Sequence, residues 1–198
     1  MAWEIVHWQV TSGENQPAWE AFFKELAAKG MTAQTTELVV SNGAKGLENA
    51  LGEHLKGVPH QRCVFHKIKN IADHLVFDDL EVDGSLDDTT AVRNAKQARK
   101  QAMLADAGRM YAGDVEADIR TQAAAFRATW EGREPKAVAN FFTDFDKTLS
   151  YLQVDFPMSL APLIRTTNLL ERFHKEVRRK HMTLGCFKAN EGVKSFGI

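Results

Sequence analysis

The chain has little cysteine, little proline and no excess of either charge. Of its 198 residues two are cysteine and five are proline, and 25 basic side chains nearly balance 26 acidic ones, for a formal net charge of −1. Two cysteines exclude a disulfide-stapled scaffold and make a reducing, cytoplasmic compartment the expected location. The near-zero net charge excludes a protein that is basic throughout, but it allows a local basic face.

Long apolar runs are absent as well. No stretch reaches the ~18 consecutive apolar residues that would span a bilayer, and the N-terminal segment MAWEIVHWQV lacks the charged region of a signal peptide. We therefore expect no membrane partner. Hydrophobic residues still make up 44% of the chain, which is enough for one domain with a buried core.

The first third of the chain alternates between strand and helix patterns. Residues 3–10 are rich in aromatic and β-branched side chains, and residues 38–40 form a short apolar run. Residues 61–66 are a third predicted strand that leads into a helix. Apolar residues recur with helical spacing between Pro17 and Gly30, and a second helix is predicted for residues 44–55. This alternation predicts an α/β fold with a partly parallel sheet covered by helices.

The middle of the chain has a different pattern. Seven acidic residues and no Lys or Arg occur from Asp73 to Asp88, which indicates an acidic connector. Residues 89–150 predict an all-helical insertion of roughly three helices, broken near Gly113 and at residues 132–135. The predicted organisation is an α/β part at 1–72, a connector and helical insertion at 73–162, and a basic helix that completes the core at 163–198.

Basic side chains concentrate in and beside the last predicted helix, residues 168–180. Between residues 165 and 188 seven basic residues stand against two acidic ones, a local net charge of +5. A basic stripe on a helix suits contacts to DNA phosphates, and the residues that we assign to such contacts are Arg165, Arg172, Lys175, Arg178 and Arg179. A solvated surface helix explains the same pattern, and Asn168 with Glu171 also fits a capping box.

A second candidate site, Ser41-Asn42-Gly43, directly follows the short apolar run. The carboxyl ends of strands in α/β sheets are where ligands and metals gather. A carboxylate at position 42 would make a natural magnesium site, but an asparagine amide brings no charge. On local grounds a strand-to-helix turn is the better interpretation, because Asn-Gly is a common turn pair.

Cys63 and His66 form the third candidate site. Both residue types bind zinc, but a structural zinc site takes four ligands, and no second pair lies nearby in the sequence. A buried cysteine beside a hydrogen-bonded histidine is the simpler interpretation.

Taken in order, these segments resemble the mutator-type (MULE-related) transposases of bacterial insertion sequences, which belong to the DDE superfamily. The resemblance spans most of the chain and depends on several motifs at the right order and separation. Its segments are residues 13–30, 38–47 (LVVSNGAKGL), 61–66 (QRCVFH), 165–179 (RTTNLLERFHKEVRR) and 184–187 (LGCF).

The resemblance implies an RNase H-like core interrupted by a helical insertion. It also implies DNA cleavage and strand transfer in which three carboxylates hold two Mg²⁺ or Mn²⁺ ions. Asn42 stands where the family has its second aspartate, and Glu171 matches its third acidic residue, with Glu176 as the competing position. Cys63 and His66 are implied to support this site, at which Asn42 and Glu171 are the expected metal positions.

Two departures from the family pattern imply an impaired copy. The family's first aspartate lies on a strand upstream of residues 3–10, and Asn42 replaces the second, so Glu171 is the one metal carboxylate that we expect. We therefore expect a truncated copy, with N-terminal core strands missing, that cannot catalyse strand transfer alone. Self-association along the exposed strand edge is a further expectation. The alternative is a non-enzymatic helical module that binds DNA or a protein partner.

Overall fold

The computed structural model describes residues 4–9, 11, 13, 15–78, 80 and 89–184, with side chains from 90 to 179 in the last range. The expected α/β class is confirmed, and the described chain is mostly helical. The first part contains α1 (Gln16–Ala28), β1 (Val39–Ser41), α2 (Lys45–His54), β2 (His60–Arg62) and α3 (Val64–Asn70). The second part contains α4 (Thr89–Arg109), α5 (Glu116–Trp130), α6 (Pro135–Thr143), a 3₁₀ segment (Asp146–Gln153), α7 (Ala161–Ile164) and α8 (Asn168–Leu184).

The two strands pair in parallel, with Val40 opposite Gln61. The connection between them contains α2, as parallel pairing requires a crossover. Helices α1 and α2 pack on each other through a small apolar core that includes Phe23, Leu26, Leu47, Ala50, Leu51 and Leu55. The unit therefore places both strand ends at one edge.

Helix α1 begins and ends where the sequence predicts. The Asn15 side-chain oxygen accepts a hydrogen bond from the backbone N–H of Ala18 at 3.1 Å, and Pro17 occupies the first turn. Gly30 ends the helical stretch with a φ of 90°, a conformation that residues with a side chain rarely adopt.

One strand prediction was wrong and another was too long. Residues 4–9 form no strand within the described chain; they run along α1, where the Lys29 ammonium donates to the Val6 carbonyl and the Gln9 amide donates to the Ala18 carbonyl. The strand predicted for 61–66 ends at Arg62, and His66 lies in α3. The reason is that the Val64 N–H donates to the Arg165 carbonyl at 2.9 Å instead of continuing a ladder.

The helical insertion builds the larger core. Its breaks near Gly113 and at 132–135 separate α4, α5 and α6 as expected. Fully buried side chains of this core include Met103, Met110, Ile119, Val138 and Phe141, and Val64 and Ile71 join the same cluster from the first part of the chain. The boundaries proposed at 72 and 162 stay predictions.

A buried glutamine joins the two parts. Gln61 is completely buried in β2; its side-chain amide donates to the carbonyls of Arg62 (2.9 Å) and Thr148 (2.8 Å) and accepts from the N–H of Tyr151 (2.9 Å). The 3₁₀ segment is thereby held against the strand. Within the described residues no helix is both long and apolar enough to cross a membrane.

Candidate functional site

The parallel strands end side by side and thereby define one edge of the sheet. Ser41 and Arg62 are the last paired residues, so Asn42 and Cys63 follow at neighbouring strand ends. The Cys63 N–H donates to the Ser41 carbonyl at 2.8 Å. Two of the sequence-predicted segments therefore meet at the carboxyl edge, where α/β folds gather ligands.

The start of α8 packs against this edge through a polar cluster. The Cys63 sulfur is completely buried and accepts a hydrogen bond from the Thr167 N–H at 3.3 Å, and the Thr167 hydroxyl oxygen lies 3.4 Å from it. His66 Nδ1 lies 3.3 Å from the same sulfur. Glu171 Oε1 lies 2.8 Å from the Thr167 hydroxyl and 3.6 Å from His66 Nδ1. The fold thus brings together Cys63, His66 and Glu171.

Thr167, which links the cluster, was missed by the sequence reasoning. The available signal was its position directly before the last helix, where threonine is a preferred capping residue. Helix α8 begins at Asn168, so Thr167 precedes it, and the Glu171 N–H donates to the Thr167 carbonyl at 3.0 Å. The capping-box alternative for Asn168 and Glu171 was therefore wrong, because Asn168 is already helical and the Glu171 N–H donates to the Thr167 carbonyl.

Glu176 lies away from this cluster. It is exposed and pairs with Arg179, whose Nε lies 3.0 Å from a Glu176 carboxylate oxygen. Of the two glutamates on α8, Glu171 is the one that contacts His66 and Thr167.

The five residues assigned to DNA contacts fall into two groups. Arg172, Lys175, Arg178 and Arg179 are exposed on α8. Arg165 is half-buried before the helix, and its guanidinium donates to the Tyr111 carbonyl at 2.8 Å in the helical insertion. The first group therefore faces solvent, whereas Arg165 joins two parts of the chain.

Asn42 occupies a turn. Its side chain is exposed and its Oδ1 accepts from the Ala44 N–H at 3.2 Å, while the Gly43 N–H donates to the Ser41 hydroxyl at 3.0 Å. The Ser41 hydroxyl also lies 2.7 Å from His60 Nε2, and burial lowers the pKa of that histidine. Within the described chain no hydrogen bond joins Asn42 directly to Glu171. The two are linked indirectly: Ser41, the neighbour of Asn42 in sequence, is hydrogen-bonded to Cys63, and Thr167 is hydrogen-bonded to both Cys63 and Glu171.

The side chains at this edge do not fit a magnesium ion. Hard cations require several oxygen ligands, most of them carboxylates, and in the described part of the chain no three His, Cys, Asp or Glu side chains are placed to hold a metal. Asn42 contributes a neutral amide. The Arg62 guanidinium, whose residue is 7% exposed, lies against Gly43 and adds a positive charge.

The family model described as "Transposase, Mutator family" matches residues 2–196 of this chain. The chain belongs to the mutator family of transposases. This confirms the resemblance inferred from the ordered motifs.

Named relatives of this mutator-family chain are insertion-sequence proteins. The transposase for insertion sequence element ISRM5 of Rhizobium meliloti is 26% identical over 188 residues, which cover 95% of this chain and 41% of that protein. The transposase for IS905 of Lactococcus lactis is 23% identical over 97% of this chain and 43% of that protein. The transposase for IS6120 of Mycolicibacterium smegmatis is 29% identical over 89% of this chain and 48% of that protein. The chain spans less than half the length of these relatives.

Proposed function

We propose that this chain acts on DNA as part of an insertion-sequence transposase, and that it is impaired in metal-dependent cleavage and strand transfer. The observation that carries the proposal is the convergence of Cys63, His66 and Glu171 at the carboxyl edge of β2, from which the basic helix α8 departs. We assign the two strands and their connecting helix to an RNase H-like core. The parallel pairing of the two strands through a helical crossover supports this assignment, and the family match and the names of the relatives support a transposase role.

DNA binding is assigned to the solvent-facing side of α8. Arg172, Lys175 and Arg178 are exposed and recur every three residues, so they form a slowly winding stripe. Each phosphate that such a side chain neutralises releases counterions. Each such contact therefore makes the slope of log affinity against log salt more negative by about 0.9. The three side chains together predict a contribution of about −3 to that slope.

The impairment is assigned to charge at the strand edge. Mg²⁺ or Mn²⁺, the cofactor implied for the family, would activate the attacking oxygen and stabilise the leaving one. Here Asn42 supplies no negative charge, and Arg62 opposes a cation next to the Asn42–Gly43 turn. We infer that the chain holds DNA without a requirement for divalent metal.

The test measures binding of a fluorescent DNA duplex to the purified 198-residue chain across a salt series, in EDTA and in Mg²⁺. One variant combines Arg172→Gln, Lys175→Gln and Arg178→Gln. The matched control removes the same charge from exposed side chains of other elements, Lys24→Gln, Arg133→Gln and Lys136→Gln. We expect that Mg²⁺ does not raise the wild-type affinity above that in EDTA.

The α8 variant is expected to bind at least about tenfold more weakly, with a slope that is shallower by about 3, whereas the control stays near wild type. Equal losses in both variants would show that α8 is not the binding face. Absence of binding by the wild-type chain would refute DNA as its partner.

A further inference from the structure

We propose that Arg62, Gly43 and the N-terminus of α2 form a pocket for a phosphate group of the DNA backbone. The pocket lies at the strand edge where the family resemblance places a metal. The assignment to DNA rests on the function proposed above, but the anion-binding property of the pocket is testable without DNA.

The first observation is a buried guanidinium that lacks a partner. Arg62 is 7% exposed, and its Nε and Nη1 are buried with no hydrogen-bond partner among the described residues. A buried charge without a counter-charge is strongly unfavourable. Arginine is the side chain best suited to two-point binding of carboxylate and phosphate. An incoming anion would satisfy the buried donors.

The second observation is the absence of a side chain at position 43. Gly43 has a φ of 80°, and a Cβ built there would overlap the Arg62 guanidinium. The guanidinium therefore lies directly against the backbone that leads into α2. Any other residue at this position would displace it.

The third observation concerns the start of α2, which spans ten residues from Lys45 to His54. Its capping position, Ala44, offers no side-chain hydrogen bond to the first turn. Helix N-termini carry unsatisfied N–H groups and a partial positive charge, and both favour phosphate. The Ala44 N–H is taken by Asn42 Oδ1, but the first turn of α2 receives no side-chain hydrogen bond from Ala44, and this turn and the guanidinium flank the same segment, Asn42–Ala44.

Nearby carboxylates are engaged by lysines. Glu48 lies 3.2 Å from the Lys147 ammonium, and Asp144 lies 3.9 Å from the Lys67 ammonium. Neither carboxylate hydrogen-bonds to Arg62 in the described chain. With a neutral Asn42 beside it, the guanidinium keeps its positive charge available for an anion.

The test uses thermal unfolding of the full chain with and without inorganic phosphate, and DNA binding across a salt series. Phosphate is expected to raise the unfolding midpoint of the wild type and of the control Lys24→Gln, but not that of Arg62→Met. In DNA binding, Arg62→Met is expected to lose about tenfold in affinity and about one unit of salt slope. Arg62→Lys keeps the positive charge but loses the two-point donor geometry of the guanidinium. Its phosphate response and its DNA affinity are therefore expected to lie between those of the wild type and of Arg62→Met.

Arg62→Met is expected to fold at least as stably as the wild type in phosphate-free buffer, because it removes an unpaired buried charge. If Arg62→Met does not fold, Arg62→Lys replaces it in the thermal-unfolding and DNA-binding comparisons, after near-UV circular dichroism has shown that Arg62→Lys is folded. Loss of the phosphate response with unchanged DNA affinity would show that the pocket takes free phosphate, and would overturn the DNA assignment. No phosphate response in the wild type, together with wild-type DNA binding by Arg62→Met, would overturn the pocket. Failure of the wild type to bind any DNA refutes the proposed function and leaves the phosphate comparison to decide the pocket.

Discussion

Replacing Gln61 by methionine should markedly destabilise the chain. Gln61 is completely buried in β2, and two of its three hydrogen bonds reach the 3₁₀ segment, at the Thr148 carbonyl (2.8 Å) and the Tyr151 N–H (2.9 Å). Methionine fills nearly the same volume but has no comparable donor or acceptor. The substitution therefore isolates hydrogen bonding from the effect of a cavity.

The expected cost follows from the three bonds. A typical protein hydrogen bond contributes about 1 kcal/mol net, and a buried group left unpaired costs about 1–3 kcal/mol. Three lost bonds, with relaxation of the 3₁₀ segment, predict a decrease of about 2–4 kcal/mol in the free energy of unfolding.

Urea unfolding, followed by far-UV circular dichroism, measures the free energy and its dependence on urea. The control is Gln122→Met on the exposed side of α5, for which we expect a change within about 0.5 kcal/mol. A Gln61→Met protein as stable as this control would refute the view that the glutamine fastens the insertion to the sheet.

Three further substitutions probe other parts of the fold. Glu134→Leu should lower the free energy of unfolding by about 3 kcal/mol in urea melts, because the buried carboxylate accepts from the N–H groups of Val76 and Phe77 and pairs with Arg99; no loss would contradict this. Burial lowers the pKa of His60 from its usual 6.5, so the unfolded chain binds the proton more readily, and wild-type stability should rise as the pH increases toward 6.5. His60→Gln should show a smaller rise of stability with pH, and a stability profile unchanged from that of the wild type would show that His60 does not cause the rise. Gly43→Ala should cost at least about 1 kcal/mol, because a side chain there meets the Arg62 guanidinium at a φ of 80°; an unchanged melting temperature would exclude this packing.

Local patterns in the sequence predicted the helices well. Pro17, Gly30 and the breaks near Gly113 and at 132–135 are backbone signals that act within a few residues, and the structure places helix ends beside each. The strand predictions were less accurate because a strand exists only through its partner. Residues 4–9 have strand-like side chains, yet their contacts in the described chain are with α1.

The cluster around Cys63 shows what the sequence could not reveal. Cys63, His66 and Glu171 were singled out, but Thr167, which joins Cys63 to Glu171 and lies about a hundred positions from Cys63 in sequence, was not. Arg62, whose guanidinium Nε and Nη1 have no hydrogen-bond partner among the described residues, was not singled out, because burial of a charged side chain is decided by packing rather than by its neighbours in sequence. Asn42 was recognised as a departure, and the turn that it forms agrees with the simpler interpretation.

We propose above that the strand edge at Asn42 does not support divalent-metal catalysis, and a cleavage assay tests this most directly. The direct measurement incubates supercoiled plasmid with the purified chain in Mg²⁺, in Mn²⁺ and in EDTA, beside a Glu171→Ala variant. We expect DNA binding in all three conditions and no nicking above the EDTA level. Nicking that requires the metal and disappears in Glu171→Ala would contradict it.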